Sequence, residues 1–195
     1  MRETIVSVSS TSATVGLSLV TGPGTLPWRS VCADLVAAPV AAALSSWAHA
    51  SDVSVAPIDP GLADTAEFCA RYGVALADSA NCVVVAGKRG AEIRYAACVV
   101  LASTRADVNG VVRRRLDARK ASFAPMADAV ELSAMEYGGI TPIGLPPSWP
   151  VFLDRAVLDR AVVVIGSGLR RSKLALPSGA LAGLPGAEVV DGLAR

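Results

Sequence analysis

The chain has 195 residues, 52% hydrophobic and 18% charged, with 18 Lys plus Arg against 17 Asp plus Glu and a net charge of +1. That apolar content excludes a disordered chain and is ample for a sizeable core. The near-neutral balance excludes attachment to nucleic acid through bulk positive charge, so any such contact must come from local patches. Aromatics at 5% argue against a broad base-stacking surface. One histidine, His49, leaves no multi-histidine metal site. The four cysteines, Cys32, Cys69, Cys82 and Cys98, have no CxxC spacing and read as buried free thiols of a reducing cytosol.

Residues 4–28 carry no charge, but Ser, Thr, Gly and Pro interrupt them throughout. No run approaches the ~20 apolar residues of a spanning helix. Arg2 is cancelled by Glu3 and SSTSAT splits the apolar stretch, which does not suit a signal peptide. No membrane segment is expected. Residues 1–32 read as an N-terminal extension, poorly ordered or contributing an added strand, and residues 33–195 as one folded domain.

In chain order, residues 34–48 predict a helix with Leu35, Val40, Leu44 and Trp47 on one side and Pro39 near its first turn. Residues 53–58 alternate as a strand. Residues 64–72 predict a helix capped by Asp64, stopped by Gly73, with Phe68 and Cys69 inward. Residues 81–86 and 92–102 are β-branched runs around Gly87-Lys88-Arg89-Gly90, a hairpin signal. A helix over 107–116 ends in Arg113, Arg114 and Arg115. A short strand at 121–124 and a helix over 126–135 follow. Strands are expected at 151–153, 161–165, 173–176 and 188–190, with a helical turn at 178–181. Hairpins mixed with helices, in place of regular βαβ alternation, favour an α+β domain with a mixed sheet.

Three segments bear on chemistry. VVVIGSGLRR (162–171) has Gly166 and Gly168 after a strand, but Arg171 stands where a dinucleotide fingerprint needs its third glycine; the pair reads as a turn. Arg113–Arg115 with Arg119 and Lys120, and Arg170 and Arg171 with Lys173, are basic segments that suit either solvated surface or phosphate contacts. GGITPIGLP (138–146) has two glycines that permit close backbone approach and a proline that stiffens the loop, so it reads either as a connector or as a loop aiming backbone groups at a ligand. His49 has no serine or cysteine elbow to serve and reads as structural.

From KASFAPMADAVELSAMEYGGITPIGLP through VFLDRAVL to VVVIGSGLRRSKLAL, the chain resembles the YbaK/EbsC family, freestanding relatives of the editing domain inserted in bacterial prolyl-tRNA synthetase. The resemblance runs from about residue 33 to the C-terminus. The family's GxxxP signature falls on Gly138 and Pro142, with Gly139, Ile140, Thr141 and Gly144 in the same loop. Its strand aspartate falls on Asp154, and its glycine turn with following basic residues on Gly166, Gly168, Arg170 and Arg171. The resemblance implies a mixed, barrel-like sheet surrounded by helices. It also implies a cytoplasmic hydrolase of the ester in mischarged aminoacyl-tRNA, with tRNA as partner and an aminoacyl-tRNA synthetase as a further one. No cofactor, metal or covalent nucleophile is implied; the GxxxP backbone holds the aminoacyl group and the substrate's ribose hydroxyl helps to activate water. An activated ester suits such a site, because positioning a water and polarising the carbonyl supply much of the rate. The implied catalytic set is Asn81, Gly138, Gly139, Pro142 and Asp154. The implied binding set is Ile140, Thr141, Gly144, Gly166, Gly168, Arg170 and Arg171.

One position departs from the family. Its functional lysine, at the start of the strand after the first helix pair, falls on Asn81. Lys88 lies seven positions on, so in a regular strand it points to the opposite face. Asparagine hydrogen-bonds a carbonyl or phosphate but supplies no charge. The alternative is therefore a non-catalytic tRNA or aminoacyl-adenosine binding module. In either case Asn81 is expected in one pocket with Gly138, Pro142 and Asp154.

Overall fold

The structure is a computed structural model and describes residues 20–195. Residues 1–19 of the expected extension lie outside the described residues. Residues 20–32 belong to the fold. Leu26 is buried with Phe68 and Val74, Trp28 packs on the same cluster, and β1 (Arg29–Ser30) pairs with β2 (Ser54–Pro57). Of the two expectations for this segment, the added strand is what residues 29 and 30 form.

The fold is the expected mixed α+β arrangement, with its strands in two sheets. The first has the order β1-β2-β8-β7, with β7 (Val162–Gly166) and β8 (Ser172–Pro177), and is antiparallel throughout. The second has the order β5-β3-β4-β6-β9. Its strands are β3 (Ala80–Arg89), β4 (Glu92–Leu101), β5 (Lys120–Phe123), β6 (Val151–Asp154) and β9 (Ala187–Val190). Here β6 lies parallel to both β4 and β9, while β3 is antiparallel to β4 and β5. The sheets meet at a bridge between Ser79 and Val164 and do not form one closed barrel.

The long hairpin of β3 and β4 follows from its Val-rich runs, which suit a pleated surface, and from Gly90, whose φ of +63° fits the tight turn. Alternation along β4 divides the core. Ala97, Val99 and Leu101 enter the cluster beneath the first sheet, whereas Ala96, Cys98 and Val100 enter the cluster with Val112 and Leu116.

The helices are short. α1 (Ala38–Leu44) carries Pro39 in its first turn. The single helix expected over 34–48 is broken because proline lacks an N–H and its ring obstructs a preceding helical turn. Ala33–Leu35 form only a 3-10 turn, and Val36 is extended. At the other end, the Ser45 and Ser46 hydroxyls bond to the carbonyls of Ala42 and Ala43 and compete with continuation. α2 (Thr65–Tyr72) stops at Gly73, which is left-handed at φ +67°, and buries Phe68 completely. That burial contributes roughly 1.5–3 kcal/mol. α3 (Arg113–Arg115) continues a wider turn over Val108–Val112. α4 (Met126–Ser133) and α5 (Arg155–Leu158) complete the set. Among the described residues no helix is long and apolar enough to cross a membrane.

The pairing of β3 creates the site. β5 pairs with β3 only from Val85 onward, and the bridge to Val164 is at Ser79. Between them, on the side away from β4, residues 80–83 form a free strand edge.

Candidate functional site

A cavity of about 530 Å³ opens along that free edge. One wall is the edge itself, with Asn81 and Cys82 and the adjoining Val84; another is the start of α2, with Asp64 and Thr65. Opposite stand Gly138 and Ile140 of the glycine loop and Ile165 and Gly166 from the end of β7. Lys173 enters from β8, and Phe123, Met126 and Tyr137 line the mouth. Ala124 donates its N–H to the Val84 carbonyl at 2.9 Å, so Val84 turns its backbone groups towards β5. By strand alternation Cys82 turns its N–H and C=O the same way, where β5 has ended and the cavity begins.

Lys173 is the cation of this cavity, and sequence reasoning missed it by grouping it with Arg170 and Arg171. Its side chain is buried at 8% exposure; Nζ donates to the Ala63 carbonyl at 3.1 Å and lies 5.0 Å from the Phe68 ring centroid. Burial pushes its pKa down to about 8; Cys69 and Asp64 pull it back up, and Arg170 adds to the drop. A lysine within the apolar strand SKLALP was the available signal, since an isolated ammonium among buried neighbours needs a reason to be there. Two of its three donor hydrogens remain for a guest.

Asn81 lies in the same cavity as Gly138, as expected. Its Oδ1 accepts a hydrogen bond from Thr65 Oγ1 at 2.7 Å, which ties β3 to α2 and orients the carboxamide. Asp64 is the carboxylate of the cavity wall. It stands at the α2 cap position without capping the helix, and instead faces Arg170 Nη2 at 3.5 Å. The Cys82 thiol is held protonated, because burial pushes its pKa well above the usual thiol range. A thiolate nucleophile is therefore not on offer at neutral pH.

The other expected residues separate. Gly138, Ile140 and Gly166 line the cavity. Gly139 is buried and backs onto Leu169, and its carbonyl accepts from Gly168 at 2.8 Å. Thr141 is fully buried behind the loop, its hydroxyl without a partner. Pro142 and Gly144 turn away into a second cavity of about 240 Å³ beside Trp47 and Trp149. Gly168 packs under α1 against Ala37. Asp154 is buried at 4% exposure at the end of β6, at the position that precedes α5; burial raises its pKa, and it lines neither cavity. The expectation of one pocket holding Asn81, Gly138, Pro142 and Asp154 is thus correct for the first two. It fails for the others because the loop crosses from one cavity to the other between Ile140 and Pro142, and because β6 sits inside its sheet.

The basic pair makes bonds within the protein. Arg170 donates to the carbonyls of Tyr137 at 3.1 Å and Pro60 at 3.3 Å, and its backbone N–H bonds to Glu136 Oε2 at 2.6 Å. Arg171 donates to the Asp34 carbonyl at 2.7 Å. Both guanidinium groups thus bridge loops to one another. His49 stands apart from the cavity, half-exposed and 3.4 Å from Asp52.

Comparison with solved structures gives the same architecture. A candidate trans-editing enzyme for prolyl tRNA synthetase aligns with a TM-score of 0.67 at 22% identity, over 78% of this chain and 93% of that one. A scaffold from computational epitope backbone grafting aligns with a TM-score of 0.67 at 22% identity, over 80% and 95%. A hypothetical protein aligns with a TM-score of 0.63 at 23% identity, over 72% and 90%. At these identities the likeness concerns the fold. No curated relative matches the chain. The aminoacyl-tRNA editing domain family matches residues 59–184, a span that includes every wall of the cavity, and the chain belongs to that family.

Proposed function

We propose that the chain is a cytoplasmic deacylase that hydrolyses the ester of mischarged aminoacyl-tRNA, and that the cavity beside β3 is its active site. The observation that carries this reading is Lys173, an ammonium buried in a cavity whose facing wall, Gly138, has no side chain. Such a cation has two free donors for an ester carbonyl as it becomes an oxyanion, inside a site where water screens it little. Asn81 adds a neutral donor from the opposite sheet, and Asp64 supplies a negative charge for the α-ammonium of the aminoacyl group. Water attacks the carbonyl carbon. The bond between that carbon and the ribose oxygen then breaks, and the ribose oxygen takes up the proton. The products are the free amino acid and uncharged tRNA. The nucleophile in this reading is water, and it requires no acyl-enzyme. In the cell the partner would be mischarged tRNA near the synthetase that produces it.

A panel of mischarged tRNAs incubated with the protein tests this reading. Release of the amino acid from at least one, lost in Lys173→Met, is the expected result. A second reading has its own support: Asn81 is neutral and already bonded to Thr65. A non-catalytic binding module would hold aminoacyl-tRNA in the cavity and leave every ester intact.

A further inference from the structure

The chain has three lysines, and two of them, Lys88 and Lys120, are exposed and directly opposite each other on β3 and β5. The third, Lys173, is 8% exposed and lines the cavity. Lysines are almost never buried to that degree unless paired. Among the described residues Lys173 has no ion-pair partner: Asp64, the carboxylate of the cavity wall, stands 3.5 Å from Arg170 Nη2 instead. What Nζ has is the Ala63 carbonyl at 3.1 Å and the face of the Phe68 ring. An ammonium desolvated without a counter-ion gives up its proton readily.

The groups around Nζ set the balance. Burial lowers its pKa most; the Cys69 thiol of α2 opposes the drop, Arg170 of the turn before β8 adds to it, and Asp64 opposes it, with the outcome at about 8. The other titratable side chains of the cavity are Tyr137 at the mouth and Cys82, which burial holds as a neutral thiol. An exposed lysine titrates near 10.4, so at pH 7.5 Lys173 carries on the order of a hundred times more free amine than Lys88 or Lys120. In that form one N–H stays on Ala63, which leaves the second N–H and the lone pair for the cavity. Across from it Gly138 presents no side chain, so an acyl group can come close.

We propose that Lys173 is an acylation site, whose Nζ takes the acyl group of an activated carboxylic ester lodged in the cavity. The amine attacks the carbonyl carbon and a C–N bond forms. The bond from that carbon to the ester oxygen breaks, and the leaving oxygen takes up the proton that nitrogen sheds. The products are an amide on Lys173 and a free alcohol, with no oxidant or cofactor in the balance. The inference rests on the deacylase reading only for naming the aminoacyl ester as the donor. One nitrogen then has two roles towards one ester. As ammonium it supports the attack of water; as amine it competes with water, and the resulting amide removes the cation and closes the site.

The test uses L-alanine cyanomethyl ester, an activated aminoacyl ester without RNA, and reads alanylation at each lysine by peptide mass spectrometry. At pH 7.5 Lys173 should react roughly tenfold or more faster than Lys88 and Lys120. By pH 9.5 that ratio should fall roughly tenfold, because the exposed amines still gain free base where Lys173 has little left to gain. In urea-unfolded protein the three lysines should react alike. Equal rates in the folded protein at pH 7.5 overturn the proposal. So does a ratio that stays constant between the two pH values, or a preference that survives unfolding. Because the probe holds no RNA, the readout is separate from hydrolysis. Preferential alanylation of Lys173 with every mischarged tRNA left intact supports the acylation site and removes the deacylase reading. Deacylation with Lys173 unlabelled does the reverse.

Discussion

Lys173 donates to the carbonyl of Ala63 at 3.1 Å, and this one bond ties β8 to the segment that opens α2 while holding an ammonium inside the cavity. The bond and the Phe68 ring both favour the protonated form. The low dielectric favours the neutral one and wins by enough to bring the pKa to about 8.

Two pH dependences follow. If the ammonium stabilises the oxyanion, kcat/KM should fall as pH rises through about 8, after subtraction of spontaneous ester hydrolysis. For stability the sign is opposite. The unfolded lysine titrates near 10.5, so between about 8 and 10.5 the unfolded state binds more protons and the folded state gains stability as pH rises. At pH 7 the buried charge costs on the order of 3 kcal/mol. Lys173→Met should therefore abolish activity, raise the unfolding free energy at pH 7 by about 1–3 kcal/mol, and remove its rise above pH 8. Chemical denaturation at pH 7 and pH 9.5 reads this directly. A variant less stable than wild type at both values would contradict the placement of a charge-bearing Lys173.

Gly138 and Arg170 form the second testable pair. Gly138 has φ +79°, and a Cβ there would collide with the Arg170 guanidinium. Gly138→Ala should cost roughly 1–2 kcal/mol from the left-handed backbone alone and displace Arg170 from the Tyr137 carbonyl. Deacylation should drop at least tenfold. Arg170→Gln should lower activity by loosening the same loop, with little change in the salt dependence of RNA binding. A drop of a full unit in salt slope would instead assign Arg170 to a phosphate.

Much of the fold was legible because it rests on local signals. The β3–β4 hairpin announced itself by valine runs around a glycine turn, and α2 by Phe68, Cys69 and Gly73. The 34–48 helix was misjudged because an Ala-rich apolar stretch outweighed Pro39, whose backbone effect is absolute where side-chain pattern is only a preference. The site was half legible. Gly138 and Asn81 meet because motif order places both on elements bordering the free edge. Lys173 was hidden because its strand belongs to the other sheet, and only the Ser79–Val164 bridge brings that sheet alongside β3. No spacing in the sequence encodes that approach. Pro142 and Asp154 were placed in the pocket by motif membership, yet a five-residue loop is long enough to line two different cavities.

Asp64 yields a prediction about substrate form. Its carboxylate faces the cavity beside Gly138, where the α-ammonium of an aminoacyl ester would stand. Asp64→Asn should raise KM for aminoacyl-tRNA several-fold. Wild type should discriminate against N-acetylated aminoacyl-tRNA, which lacks the cation, and the variant should lose most of that discrimination. Equal discrimination by both proteins would remove Asp64 from substrate recognition.

Asn81 carries the last prediction. Its Oδ1 is engaged by Thr65 Oγ1, so its amide N–H groups are the part free to face a guest, and the hydroxyl fixes which way the carboxamide points. Asn81→Ala removes the donor and leaves Thr65 without its acceptor. Asn81→Asp keeps the acceptor for Thr65 but replaces the donor with a negative charge in the cavity that holds Lys173. Thr65→Val leaves the donor and frees its orientation. Activity should therefore fall in all three, most in Asn81→Asp, where a carboxylate would neutralise the Lys173 ammonium and repel a developing oxyanion, and least in Thr65→Val. Asn81→Asp should also raise the pKa read from the descending limb of the pH profile, because an anion near Lys173 favours its charged form. A descending limb that stays near 8 in Asn81→Asp would mean that the two side chains do not share the reacting centre, whatever the loss in rate.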